Sequence, residues 1–244
     1  MVKWMRAFLG YFIWTIDMDR AYFVSGIDTD VGKTVATGMM ARWLAGKGLD
    51  AITFKLVQTG NCGFSEDIAV HRSICGGLRF PEDEAGLTAP QIFKFPASPM
   101  LAASLEGRAV DLDAITSAAE KVIAGHDVTL VESAGGMDVP LAGDTLSSDY
   151  AAARGWPLIL VTCGRLGSIN HALLSIEAAL RRGMRVAGVV HNWCAKADPV
   201  IDGDAVETVR RRLEAWGCPP VVVRMPRIDF GGALPDIDFS EIFA

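Results

Sequence analysis

The segment from Tyr22 to Gly46 restricts this chain more than any other. A short β-prone run, Tyr22-Phe-Val-Ser25, enters the turn Gly26-Ile27-Asp28-Thr29-Asp30-Val31-Gly32-Lys33-Thr34. A helical stretch from Thr34 to Leu44 follows and ends near Gly46 and Gly48. The loop is one residue longer between its first glycine and Gly-Lys-Thr than the general phosphate-loop pattern. The physical requirements are met all the same. Gly32 lets the backbone pass close to a phosphate, and successive N–H groups at a helix start supply positive potential. Lys33 offers a mobile cation to β- and γ-phosphates, and Thr34 offers a hydroxyl to Mg²⁺. Asp30, Val31, Gly32, Lys33, Thr34 and Val35 are therefore the expected nucleotide-binding stretch. The bland alternative is a glycine turn followed by an exposed lysine. It does not account for strand, loop, Gly-Lys-Thr and helix occurring in order.

The remainder repeats the alternation. Strand-like runs are Ala51–Val57, Val128–Val131, Leu158–Thr162, Val186–Val190 and Val221–Val223. Helical runs are Leu112–Ala124, Ile169–Arg182 and Ala205–Trp216. Continuous Val, Ile and Leu strands separated by helices predict an α/β fold: a phosphate-loop NTPase-type, mostly parallel sheet with helices on both faces. Sites in such sheets lie at the carboxyl ends of the strands. With no internal repeat or long linker, residues 18–244 are expected to form a single domain. Lys3, Arg6 and the apolar run Ala7–Ile16 superficially resemble a signal peptide, but Asp17-Met-Asp-Arg20 follows in place of a small-residue cleavage site. Residues 1–17 are read as an extension, with Met18 opening the domain.

A formal net charge of −6 argues against a general nucleic-acid binder, though not against nucleotide binding. The five cysteines are dispersed without a Cys-x-x-Cys pair, which fits a reducing, cytoplasmic setting better than a zinc site or a disulfide framework.

Outside the loop the candidate residues are individually ambiguous. Lys55, in Phe54-Lys55-Leu56-Val57-Gln58-Thr59-Gly60, is costly to bury unless it faces charge; it could also snorkel from an edge strand. Asp67 stands where a helix starts, a place an acid can occupy for the helix dipole alone. Glu132 ends a buried strand beside the phosphate loop, where such folds hold magnesium, or is a solvated loop acid. Gly167-Ser168-Ile169-Asn170-His171 opens a helix whose N–H groups could hold a carboxylate, unless Ser168 is simply an N-cap. Asn192 could read a base edge or be a turn residue.

Taken together, these segments resemble the dethiobiotin synthetase family, whose loop reads Gly-Thr-Asp-Thr-Asp/Glu-Val-Gly-Lys-Thr with the same spacing; Ile27 is the one departure there. The resemblance runs on through Lys55 with Thr59-Gly60, Asp67, Pro96-Ala-Ser-Pro99 and Glu106-Gly107. It continues through Val131-Glu132-Ser-Ala-Gly-Gly136, Pro140-Leu141, Gly167–His171 and Asn192. It implies ATP-dependent carboxylation and ring closure of 7,8-diaminononanoate with CO₂, through a phosphorylated carbamate. It further implies that Lys33 contacts the phosphates and that Lys55 stabilises the carbamate and the transferred phosphoryl group. Thr34, Asp67 and Glu132 would hold Mg²⁺, and Thr29 and Asp30 would lie near the diamine and the reacting centre. Thr59 would hydrogen-bond there, and Asn192 would read the adenine. Gly167, Ser168, Ile169 and Asn170 of a neighbouring subunit would hold the diamine's carboxylate, which implies a homodimer with its sites at the interface.

Leu56 stands where the family commonly has proline, and Ser133 replaces a glycine. Glu66 beside Asp67 leaves the second metal carboxylate open, and the tail after Pro226 finds no match. The alternative is a partitioning or septum-type ATPase switch with a protein partner. Such proteins carry an early loop lysine where Asp28 stands here, and no basic amphipathic C-terminal helix is present to dock on a membrane. A corrinoid amidoligase would need a further glutaminase domain.

Overall fold

The computed structural model describes residues 19–193 and 198–244. The expected extension, residues 1–17, and its boundary at Met18 lie outside them. In chain order the elements are β1 (Ala21–Gly26), α1 (Lys33–Gly46), β2 (Ala51–Lys55), β3 (Gln58–Thr59), α2 (Glu66–Ile74), α3 (Pro81–Glu84), β4 (Ile92–Phe93), α4 (Pro99–Leu105) and α5 (Leu112–Gly125). There follow β5 (Val128–Gly136), β6 (Pro140–Ala142), β7 (Thr145–Leu146), α6 (Ser147–Ala152), β8 (Leu158–Cys163), α7 (Ser168–Arg181), β9 (Val186–Asn192), α8 (Pro199–Ala215) and β10 (Val222–Met225).

Six strands form one sheet in the order β10-β9-β8-β1-β5-β2, and every pairing is parallel. Residues of both side-chain orientations are buried along β1 and β8, so helices cover both faces, as uninterrupted apolar runs require. β1 lies inside the sheet between β5 and β8. The loop leaving β1 therefore emerges among the carboxyl ends of its neighbours.

Several boundaries differ from the sequence expectation. β5 does not stop at Val131 but runs to Gly136. Its register with β1 shifts between Val24 and Gly26, so that Gly136 comes opposite Gly26. Glu132 is thus an internal strand residue and not a strand end. The run expected at Ala51–Val57 breaks after Lys55, and Gln58–Thr59 pairs instead with β4. α8 begins at Pro199, where the Asp198 carboxylate accepts from the N–H groups of Val200 and Ile201 and proline occupies the first turn.

Two packing features bear on the site. A Cβ on Gly38 of α1 would come within 2.7 Å of the Ile74 side chain and 3.3 Å of His71 Cα, so glycine allows α2 to lie close against α1. The C-terminal tail folds back beneath the sheet, burying Ile237, Phe239, Ile242 and Phe243. Phe243 meets Tyr22 edge-on with ring centroids 5.0 Å apart and stacks on Trp43 of α1 at 5.8 Å.

Candidate active site

The loop from Gly26 to Thr34 turns tightly: a Cβ on Gly26 would lie 2.7 Å from the Val31 side chain. Asp30 has φ 57° and Gly32 φ 91°, with Val31 of ordinary hand between them. Such alternation turns successive N–H groups into one anion-binding concavity. Gly32 is required twice over, because its φ is left-handed and a Cβ there would stand 2.0 Å from the amide nitrogen of Asn192. That Asn192 nitrogen donates to the Val31 carbonyl at 3.1 Å. The buried Lys33 side chain arches back over the loop and donates to the Asp28 carbonyl at 2.8 Å. Burial, and then the nearby charge of Lys55, push its ammonium down to about 8, against the pull of Glu132, Asp67 and Asp30.

Beside the loop, adjacent parallel strands bring charges together. Lys55 of β2 and Glu132 of β5 are register partners, so their side chains leave the sheet on the same face. The Lys55 ammonium donates to Glu132 Oε1 at 2.8 Å and to the Ser133 carbonyl at 3.0 Å, and pairs with Asp67 Oδ2 at 2.5 Å. Burial acts to lower the Lys55 pKa, but the two carboxylates outweigh it and hold the group above its ordinary value. Burial would likewise raise Glu132, yet Lys55 and His71 outweigh it and hold the carboxyl far below the usual range.

The Thr34 hydroxyl lies 3.0 Å from Asp67 Oδ1 and 3.1 Å from Glu132 Oε1. A hydroxyl has one hydrogen to give, so the two carboxylate contacts cannot both be satisfied by it. Three hard oxygens from three elements converging in this way suit a small divalent cation, and magnesium bound beside phosphates needs no more than one or two carboxylates from the protein. Glu66 is exposed, whereas Asp67 faces Thr34 and Lys55, which distinguishes the two acids of the first turn of α2.

Behind Glu132 stands a group that the sequence reading missed. His71, fully buried, lies 2.9 Å through Nε2 from Glu132 Oε2 and 2.9 Å through Nδ1 from the Thr53 hydroxyl. Arg72 donates to the same hydroxyl at 2.8 Å and grips Asp83 with two bonds, at 2.7 and 2.8 Å. The spacing of Asp67 and His71, one helical turn apart, was the available signal. Ser133, where the resembling family has glycine, is also buried, its hydroxyl 3.0 Å from that of Ser25.

Thr29, Asp30, Gly32, Lys33, Thr34, Val35, Lys55, Thr59, Asp67 and Glu132 all line one cleft of about 460 Å³. Val31 and Asn192 lie on an adjoining cavity shared with Asp28, Arg165 and the exposed Trp193. Trp193 was also absent from the sequence-based candidates. There Arg165 pairs with the Asp28 carboxylate, which the Thr29 N–H and then this guanidinium hold below its usual pKa. The structure does not bring Gly167–Asn170 into the main cleft of the same chain. They open α7 with Gly167 at φ 87°, and Gly167 and Ile169 border a separate hollow with Leu166 and Val200. Ser168 is buried, 3.6 Å from Cys163 Sγ, and caps no N–H of the helix.

A family model described as an AAA domain matches residues 20–230. The chain is 45% identical over 194 residues to the ATP-dependent dethiobiotin synthetase BioD of Chlorobaculum tepidum, covering 80% of this chain and 81% of that protein. It is 40% identical over 199 residues to the ATP-dependent dethiobiotin synthetase BioD 2 of Pasteurella multocida, covering 82% and 93% respectively. Among solved structures, a ParA family ATPase from Chlorobium tepidum TLS superposes with a TM-score of 0.50 at 13% identity, over 86% of this chain and 85% of that one. That likeness concerns the fold alone.

Proposed function

Because the chain belongs to the ATP-dependent dethiobiotin synthetase family, we propose that it is a cyclo-ligase that forms dethiobiotin from 7,8-diaminononanoate, CO₂ and ATP in biotin biosynthesis. The observation that carries this reading is the convergence of Lys33, Thr34, Lys55, Asp67 and Glu132 in one cleft at the carboxyl ends of β1, β2 and β5.

The chemistry divides into three steps. One amine adds to CO₂, forming a C–N bond and losing a proton to give a carbamate. A carbamate oxygen then attacks the γ-phosphorus and ADP leaves. The second amine attacks the carbamoyl carbon, the C–O bond to phosphate breaks, and the cyclic urea closes with loss of another proton. Positioning and charge neutralisation are the main demands of the middle step. The loop N–H groups and Lys33 hold the β- and γ-phosphates, with Val31 and Val35 flanking them. Lys33 exchanges its Asp28 carbonyl partner for phosphate oxygen. Lys55 lies on the same wall, where its ammonium serves the carbamate and the phosphoryl group in transfer. Thr29 and Asp30, on the lip of the cleft, take the diamine, and Thr59 offers a hydrogen bond from the opposite side.

Thr34, Asp67 and Glu132 are the residues that would hold Mg²⁺, which when bound neutralises phosphate charge. Asn192, braced against Gly32, stands on the wall assigned to the adenine. Gly167–Asn170 do not line their own chain's cleft, and this supports their service to a second copy in a homodimer, where α7's first N–H groups receive the diamine carboxylate. The enzyme is assigned to the cytoplasm; among the described residues no helix is long and apolar enough to cross a membrane.

The test is turnover with the diamine, bicarbonate, Mg²⁺ and ATP. Dethiobiotin and ADP should appear in equal amounts. Absence of the cyclic urea, with ATP hydrolysis answering instead to a protein partner, would overturn the assignment in favour of a switch ATPase.

A further inference from the structure

We propose that His71 is a positioning residue that reserves one oxygen of Glu132 and so leaves the other aimed at the cation and phosphates. The inference rests on the reading of Glu132 as a magnesium ligand. It starts from the direction of each hydrogen bond behind that carboxylate. Arginine can only donate, so the Thr53 hydroxyl accepts from Arg72 at 2.8 Å. The hydroxyl's own hydrogen is then free for His71 Nδ1, 2.9 Å away, while an ionised Glu132, which can only accept, requires the ring proton on Nε2. The ring proton resides on Nε2 and is donated to Glu132 Oε2 at 2.9 Å. Asp83 anchors the far end: it holds Arg72 through two bonds and is itself held by the Thr88 hydroxyl at 2.7 Å. The Thr53 hydroxyl, held by Arg72 and Asp83, thereby backs from the far side of the ring the tautomer that the Glu132 carboxylate requires.

Lys55 cannot substitute for this contact. Its three N–H groups are accounted for by Glu132 Oε1, the Ser133 carbonyl and Asp67 Oδ2. Among the described residues His71 is the only hydrogen-bond partner of Glu132 Oε2. Without it, a buried carboxylate oxygen would be stranded, and the group would turn so that both oxygens competed for one ammonium. Oε1 would then no longer be held 3.1 Å from the Thr34 hydroxyl, where three oxygens now converge. Partners one step removed from a metal commonly change its affinity by about 10- to 100-fold.

The test compares His71→Leu, which removes the donor at similar bulk, with His71→Gln, whose amide can donate from a comparable reach. Mn²⁺ binding in the presence of ADP, followed by electron paramagnetic resonance, gives a readout independent of turnover. In parallel, the Mg²⁺ requirement and the diamine KM are measured. His71→Leu is expected to weaken Mn²⁺ binding by about 10-fold or more, with diamine KM within about twofold of wild type, and His71→Gln to recover most of the loss. Wild-type Mn²⁺ affinity in a folded His71→Leu protein overturns the proposal. So does a His71→Gln protein as impaired as His71→Leu at unchanged thermal stability. If His71→Leu does not fold, Thr53→Val, which removes only the hydroxyl that braces Nδ1, is expected to weaken Mn²⁺ binding in the same sense; unchanged binding there counts against the proposal. Failure of the wild-type protein to bind Mn²⁺ with ADP overturns the metal reading of Glu132 itself, a result distinct from failure of the His71 variants alone.

Discussion

At Lys55 a single buried ammonium faces two carboxylates on the wall of the cleft, and the consequences of removing it differ from those at Lys33. In Lys55→Ala, Glu132 and Asp67 would confront each other with no cation between them. Breaking a buried pair from one side costs roughly 3–5 kcal/mol. Turnover should vanish and the thermal midpoint should fall together. Lys33 donates only to a backbone carbonyl of its own loop, so Lys33→Ala should lose turnover with a much smaller stability change. Calorimetry beside the turnover assay separates the two; an unchanged midpoint in Lys55→Ala would show that the pair does not stabilise the fold. From sequence alone both substitutions look neutral for folding. The structure alters that expectation for Lys55, because its partners come from elements distant in sequence. The same reason limited what could be read elsewhere. Lys33 and Thr34 sit in a contiguous motif whose chemistry is local, whereas Asp67 looks like an ordinary first-turn acid until α2 is laid against the loop. His71 was signalled only by its spacing one turn after Asp67, which is weak because a histidine on a helix is usually packing.

Among the elements, α2 carries Asp67 and His71 on one face, and its seat depends on Gly38 and on the Arg72–Asp83 clasp. Burial alone would raise the Asp83 carboxyl; its bonds from Arg72 and Thr88 outweigh this and hold it below the ordinary 3.8. A depressed carboxyl pKa stabilises the fold above its unfolded value, and that contribution is lost as pH falls through the folded value. Asp83→Asn should therefore be less stable than wild type at neutral pH, by about 1–3 kcal/mol. The difference should narrow as pH drops below 3.8. Denaturant midpoints across pH measure it, and a gap that persists undiminished in acid would show that charge is not the source. Element identity was largely legible from apolar runs. Boundaries were not, where tertiary contact decides them: β5 is drawn past Glu132 by pairing with Gly26, which no local propensity announces.

For the molecule as a whole, the distance of Gly167–Asn170 from the cleft of their own chain leads to a mixing experiment. Lys33→Ala and a Gly167→Val variant should each be inactive, one lacking a phosphate contact and the other a loop conformation at φ 87° that valine resists. In the proposed homodimer, co-refolding in equal amounts makes half the dimers mixed, each with one intact site, so roughly a quarter of wild-type turnover should return. No recovery despite mixed-dimer formation would confine the site to one chain. The tail offers a second experiment at this scale. Its buried Ile237, Phe239, Ile242 and Phe243 each contribute about 1.5–3 kcal/mol of burial. Truncation after Asp236 should leave a protein that does not unfold cooperatively by circular dichroism, and a truncated chain with a wild-type transition would show the tail to be dispensable. The sequence left this segment unmatched because its apolar residues have no periodic pattern; Phe239 and Phe243 fill a socket formed by Tyr22 and Trp43.

That socket also sets an order in time. Tyr22 and Trp43 leave the ribosome long before Phe243 is made, and at about 5–20 residues per second the interval is on the order of ten seconds or more. Throughout it, the aromatic floor of the phosphate-loop helix has no lid. A nascent chain in that interval presents an apolar surface to whatever it meets, and chaperones and other unfinished copies compete for it until the tail arrives.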